Sequence, residues 1–131
     1  MTGGGAPGAA GILKCLQQNK SFHIIAADAN PGAVGRYLNN NFETIPLAAD
    51  TSFADTILSL CRKRNIHVVL PLVTKELIPL SQHAKEFELA GAKLLVSPTA
   101  SLDIANNKIC VGRYFDIRLR NTFYQLYFFL S

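Results

Sequence analysis

MTGGGAPGAAG, residues 1–11, places Gly3, Gly5 and Gly8 in the spacing G-x-G-x-x-G at the mouth of a segment with helical periodicity. Glycines in this pattern let backbone amides close around an anion, because no Cβ holds the chain away. The helix expected next, over about residues 8–18, would turn its unpaired N–H groups and positive dipole end toward the same place. A Walker loop is excluded, since Ala9 and Ala10 stand where lysine and a hydroxyl residue are required. The glycine pattern alone is weakly specific, so its meaning depends on what surrounds it.

Outward from the loop, the sequence alternates between strand and helix signals. FHIIAA, residues 22–27, is a short β-favouring apolar run closed by Asp28, as in a buried parallel strand. Asp28 follows the loop by about 20 residues, where an acidic side chain often holds a ribose or another polar ligand group. It also opens the turn DANP, and both readings stand at this point. FETIP, residues 42–46, reads as a second strand, and residues 50–65 as an amphipathic helix capped by Asp50, Thr51 or Ser52. IHVVLPL, residues 66–72, carries the strongest strand signal, with Pro71 stopping the ladder near its end. Thr74 is positioned to cap a helix through about residue 90, in which Pro79 requires a first-turn location or a kink. A short strand at residues 93–97 and a helix through Ala105 follow.

This alternation predicts an α/β fold, a Rossmann-like doubly wound and mostly parallel sheet covered on both faces. A loop of this kind follows a strand, yet only Met1 and Thr2 precede Gly3. The first strand, central in the doubly wound order, is therefore expected to be lacking, and the chain is read as a late start or a fragment.

Composition sets the outer bounds. With 131 residues, 49% hydrophobic and 17% charged, the chain suits one packed domain rather than a disordered segment. Cys15, Cys61 and Cys110 are odd in number and lack a C-x-x-C pair, which argues against a disulfide framework or a zinc site and for a reducing cytoplasm. Cys15 and Cys61 are both expected among core positions. His23, His67 and His83 are too scattered for a shared metal, so no metal site is expected. The net charge of +4 gathers partly in Arg113, Arg118 and Arg120, not on a basic face, which gives no footprint for nucleic acid. No apolar run approaches the roughly 20 residues of a membrane span.

Taken together, the loop, HIIAADANPGAVGRYL, VVLPLVTKEL and KLLVSPTASLDIANNK resemble the N-terminal pre-ATP-grasp domain of ATP-grasp ligases, in particular the carbamoyl-phosphate synthase large-subunit-like branch. The resemblance covers about residues 1–108. It implies a substrate-side domain of an enzyme in which ATP, with Mg2+, activates a carboxylate for attack by an amine or ammonia. By position it places Gly3, Gly4, Gly5, Ala6 and Gly8 in a loop facing ligand, and Asp28 and Glu76 at strand ends along a cleft. Glu76 equally fits a first-turn residue favoured by the helix dipole. Asn107 and Lys108 resemble the segment entering the ATP-binding region, where the lysine contacts phosphate; a solvated helix-end lysine is the simpler reading of Lys108.

After Lys108 the family pattern stops. Residues 109–131 hold seven of the chain's 12 aromatics, so this tail is set apart as a second region of undecided structure. FDIRLR alternates like a strand, while Leu119, Phe123, Leu126 and Leu130 follow helical spacing. The resemblance thus implies a ligase fragment, catalytically incomplete alone and with no catalytic residue of its own. Its partners would be the missing ATP-grasp domains, in cis or as a separate chain, and a small-molecule carboxylate. No tight cofactor binding is expected of this chain by itself. Two alternatives remain: an NAD(P)-binding Rossmann domain using Gly3, Gly5, Gly8 and Asp28, or a non-catalytic interaction module of a split enzyme.

Overall fold

The structure, a computed structural model, describes residues 1–106. The expectations for Lys108, Cys110 and the aromatic tail lie outside the described residues. A first compact unit spans Met1–Ser97, and a second begins at Pro98. The first contains α1 (Ala9–Gln17), β1 (Ala26–Asp28), α2 (Val34–Leu38), β2 (Phe42–Thr44), α3 (Phe53–Arg64), β3 (Val68–Val69), α4 (Thr74–Gln82), α5 (Ala84–Leu89) and β4 (Lys93–Leu94). In the second, α6 (Thr99–Asn106) starts with the Ser101 and Leu102 amides donating to the Pro98 carbonyl. Among the described residues no helix is long and apolar enough to cross a membrane.

β1 pairs in parallel with β2, Ala26 opposite Phe42 and Asp28 opposite Thr44. β3 pairs in parallel with β4, Val68 opposite Lys93. Between the two pairs stand Met1 and Thr2. The Met1 ammonium donates to the Ile25 carbonyl at 2.8 Å, and the Ala27 amide donates to the Met1 carbonyl at 2.8 Å. On the other edge, the Thr2 amide donates to the Leu70 carbonyl at 3.1 Å, and Thr2 forms a parallel bridge with Pro71. The lateral order is therefore β2, β1, Met1 and Thr2, β3, β4. This is the α/β, Rossmann-like arrangement expected, with two residues holding the central place that the sequence left empty.

The strands are shorter than their sequence signals for a common reason: a strand needs a partner. β1 begins at Ala26 and not Phe22 because its ladder with β2 starts at the pair Ala26 and Phe42. Before that point a side chain substitutes, with Asn39 Nδ2 donating to the carbonyls of Ile24 and Asn41. β3 likewise holds only Val68 and Val69, and beyond it Pro71 has no N–H to offer.

Four local expectations are corrected. The helix expected through residue 90 is interrupted at His83, giving α4 and α5, with Pro79 inside α4. Thr74 is the first helical residue after Val73 and makes no side-chain cap. Before α3, Asp50 instead uses Oδ1 to accept from both the amide and the hydroxyl of Ser52. Cys15 is exposed, because the buried stripe of α1 is Ala9 and Leu13, four residues apart, and Cys15 lies off it.

α3 shows how an exposed helix end is closed. Asn65 adopts the left-handed conformation at φ 49° and its amide donates to the Cys61 carbonyl, while Arg62, Lys63 and Arg64 occupy the last turn. The core of the unit combines Ala27, Ile45, Phe53, Ile57, Leu58, Cys61, Val69, Leu80, Phe87 and Ala92. Phe87 is fully buried on the six-residue α5, so packing and not intrinsic helix stability holds this element. Phe87→Ala should cost about 3 to 5 kcal/mol, a large share of the roughly 5 to 15 kcal/mol typical of a domain. Urea unfolding of the two proteins measures it.

Candidate functional site

Because the paired strands are parallel, their carboxyl ends gather the loop after Thr2, Asp28 at the end of β1, and Val73 and Glu76 after β3. The loop is fitted by close backbone approach. Gly3 has φ 68°, and a Cβ there would stand 2.7 Å from Val73 Cγ2. The Gly4 amide donates to the Ala27 carbonyl at 2.9 Å, and its carbonyl accepts from the Gly35 amide at 3.0 Å. A Cβ on Gly35 would come within 3.0 Å of that same oxygen. Ala6 closes the turn by donating to the Gly3 carbonyl at 2.9 Å, and Gly8, at φ 87°, opens α1 without a side-chain cap.

Asp28 joins this loop to the sheet. Its Oδ2 accepts from the Gly5 amide at 2.7 Å, and its Oδ1 accepts from the Asn30 amide at 2.8 Å. The turn reading of Asp28 and its place beside the glycine loop are thus both realised in one carboxylate. Asp28 supplies, from within the chain, the negative oxygen that a bound phosphate would present to the Gly5 amide.

Glu76, in the first turn of α4, is only 6% exposed and accepts at Oε2 from the Thr2 hydroxyl at 2.6 Å. Burial pushes its carboxyl above the usual value, opposed by the Thr2 hydrogen bond, reinforced by the charge of Asp28, and opposed again by the Val73 amide and the Met1 ammonium. Burial likewise holds the Met1 amine below its usual value, against the attraction of Cys61 and Glu76. The Cys61 thiol is raised by burial. The sheet centre therefore contains an amine and a carboxyl that both resist ionisation, beside the glycine loop.

The structure brings together Gly3, Gly4, Gly5, Ala6, Asp28 and Glu76 around the loop, and sets Gly8 at the start of α1; Lys108 is outside the described residues. Sequence reasoning missed Thr2, Gly35 and Val73 as parts of this site. Gly35 had a local signal, a glycine within a short helix, whereas the Thr2 to Glu76 bond spans 74 positions and had none.

A family model described as the PylC-like N-terminal domain matches residues 5–95. The chain belongs to this family. It is a pre-ATP-grasp domain of ATP-grasp ligases, as the motifs suggested. No curated protein matches the chain. In this PylC-like domain the Gly4 and Gly5 amides are already taken by Ala27 and Asp28, and among the described residues no group of three or more His, Cys, Asp or Glu side chains is placed to hold a metal.

Thr2→Ala should destabilise by about 1 to 3 kcal/mol, since it leaves the buried Glu76 without its donor, and Thr2→Ser should recover most of that loss. The pH dependence has a definite sign. Glu76's raised pKa contributes stability that is fully present below its ordinary value of 4.5 and is lost as pH rises through the folded value. Glu76→Gln keeps an acceptor for Thr2 but cannot ionise. The difference in melting temperature between Glu76→Gln and the parent should grow in favour of the variant as pH rises through that window, as a melting series from about pH 4 to 8 measures.

Proposed function

We propose that this domain forms the substrate side of an ATP-dependent carboxylate-amine ligase and is catalytically incomplete by itself. The observation that carries the reading is the glycine loop at the carboxyl ends of a doubly wound sheet, in a chain whose family match covers residues 5–95. In such sheets ligands lie outside those ends. Placement in the carbamoyl-phosphate synthase-like branch rests on the sequence resemblance.

The loop presents acceptors more than donors. Each Asp28 oxygen takes one amide hydrogen and retains a further lone pair. Such a surface suits the amine end of a substrate better than a free phosphate. ATP and Mg2+ belong, on this reading, to the ATP-grasp portion, in cis or as a separate chain, which would activate the substrate carboxylate. The free Cys15 and Cys61 thiols fit a reducing cytoplasm. The bond from the Gly5 amide to Asp28 weighs against the dinucleotide alternative.

The chain alone should release no ADP from ATP and Mg2+ with any amino acid. Paired with an ATP-grasp region encoded beside it, it should support ADP release that needs both a carboxylate and an amine, reduced at least tenfold by Gly5→Val. A pair no more active than the ATP-grasp region alone would remove the proposal. Calorimetry should find no micromolar NAD binding; a clear micromolar isotherm would reinstate the dinucleotide reading.

A further inference from the structure

Cations gather where β3 and β4 begin, at the end of the sheet opposite the glycine loop. α3 ends at Arg64 and α5 at Leu89, and the two helices pack together. Each reaches its strand through a three-residue link, so the last turns of both helices and the first residues of both strands share one place. The Lys93 amide donates to the His67 carbonyl at 2.8 Å, which fixes the two strand starts side by side. Arg62, Lys63, His67 and Lys93 are all exposed there.

Acid does not match base at this end. Among the described residues the ion pairs are Arg64 with Glu43 at 2.6 Å and His83 with Glu86 at 3.9 Å. Arg64 is thereby occupied, whereas Arg62, Lys63 and Lys93 have no carboxylate at ion-pair distance among those residues, and Glu88 on α5 is the acid left beside them. The negative dipole end of α3 accounts for cations in its last turn. It does not account for His67 and Lys93, which the strands bring. Nor does it account for two apolar side chains set among the charges: Leu89 is 87% exposed, and Val68, opposite Lys93 in the ladder, is 47% exposed.

We propose that this end of the sheet is a docking surface for an acidic segment of a partner protein, which sets carboxylates against Arg62, Lys63 and Lys93 and an apolar side chain against Leu89 and Val68. Apolar groups inside a charged rim are the anatomy of a protein interface. Nucleic acid fits less well. Helix carboxyl ends meet here, their carbonyls repel phosphate, and the amides that bind phosphate lie at the far ends of the same helices. The exposed apolar groups are aliphatic and give a base no ring to stack on. Because the surface lies away from the glycine loop, its occupation leaves the loop open, and it does not depend on the ligase reading.

Fluorescence anisotropy of the full chain with two labelled peptides tests this: a glutamate-rich peptide with interspersed leucines, and its counterpart with lysine for glutamate. The acidic peptide should bind and the lysine peptide should not. Raising salt from about 0.05 to 0.5 M should weaken binding about tenfold or more, since exposed charges are screened. Arg62→Glu, Lys63→Glu and Lys93→Glu together should abolish binding. The milder set Arg62→Gln, Lys63→Gln and Lys93→Gln should weaken it about tenfold with the melting temperature unchanged, and it decides the matter where the reversed charges unfold the chain. Leu89→Ser should weaken binding about threefold, and Lys75→Glu, at the other end of the sheet, by less than about twofold. The proposal is overturned if the acidic peptide does not bind, if the glutamine set binds it as the parent does, or if single-stranded RNA displaces it more strongly than unlabelled peptide. Sedimentation that shows the chain pairing with itself through these residues would assign the surface to a second copy and overturn it equally.

Discussion

Two residues join the halves of this sheet. Met1 exchanges backbone hydrogen bonds with the β1 edge and Thr2 bonds to the β3 edge, so that two separate strand pairs acquire one lateral order. Buried backbone groups must find partners, and here the inner edges of β1 and β3 find theirs in a two-residue segment. The glycine loop begins where that segment ends, and the Thr2 hydroxyl holds Glu76. Fold and site consequently share the same few bonds.

Much of the architecture was legible in the sequence, because alternation of apolar strands and amphipathic helices is a local property. α1 and α6 lie close to their expected spans, and each strand lies within or beside its expected run. Strand lengths were not legible, since they depend on what lies alongside. FHIIAA has the composition of a six-residue strand but ladder partners only near its end. Cys15 shows the same limit on a helix: Leu13 decides which face is buried, and an apolar neighbour two positions away falls outside that face.

The site divides similarly. Its glycines and Asp28 were legible because they form a contiguous loop and a strand end. Their mutual arrangement was not, because the bond between Gly5 and Asp28 turns an apparent anion cradle into an internally satisfied turn. The Gly5 amide thus spends its hydrogen on Asp28 within the chain.

The contact between Gly4 and Gly35 has a mechanical consequence. With no side chain between them, the loop and α2 meet backbone to backbone, joined by a 3.0 Å hydrogen bond. Side-chain contacts can yield by rotamer changes, but here there is no rotamer to change. The loop cannot lift from the sheet on its own while this contact persists, and any displacement of it is a displacement of α2. A shift of the loop at Gly4 would therefore pass to residues 34–38 through main-chain atoms, as a load on one arm of a lever passes to the other.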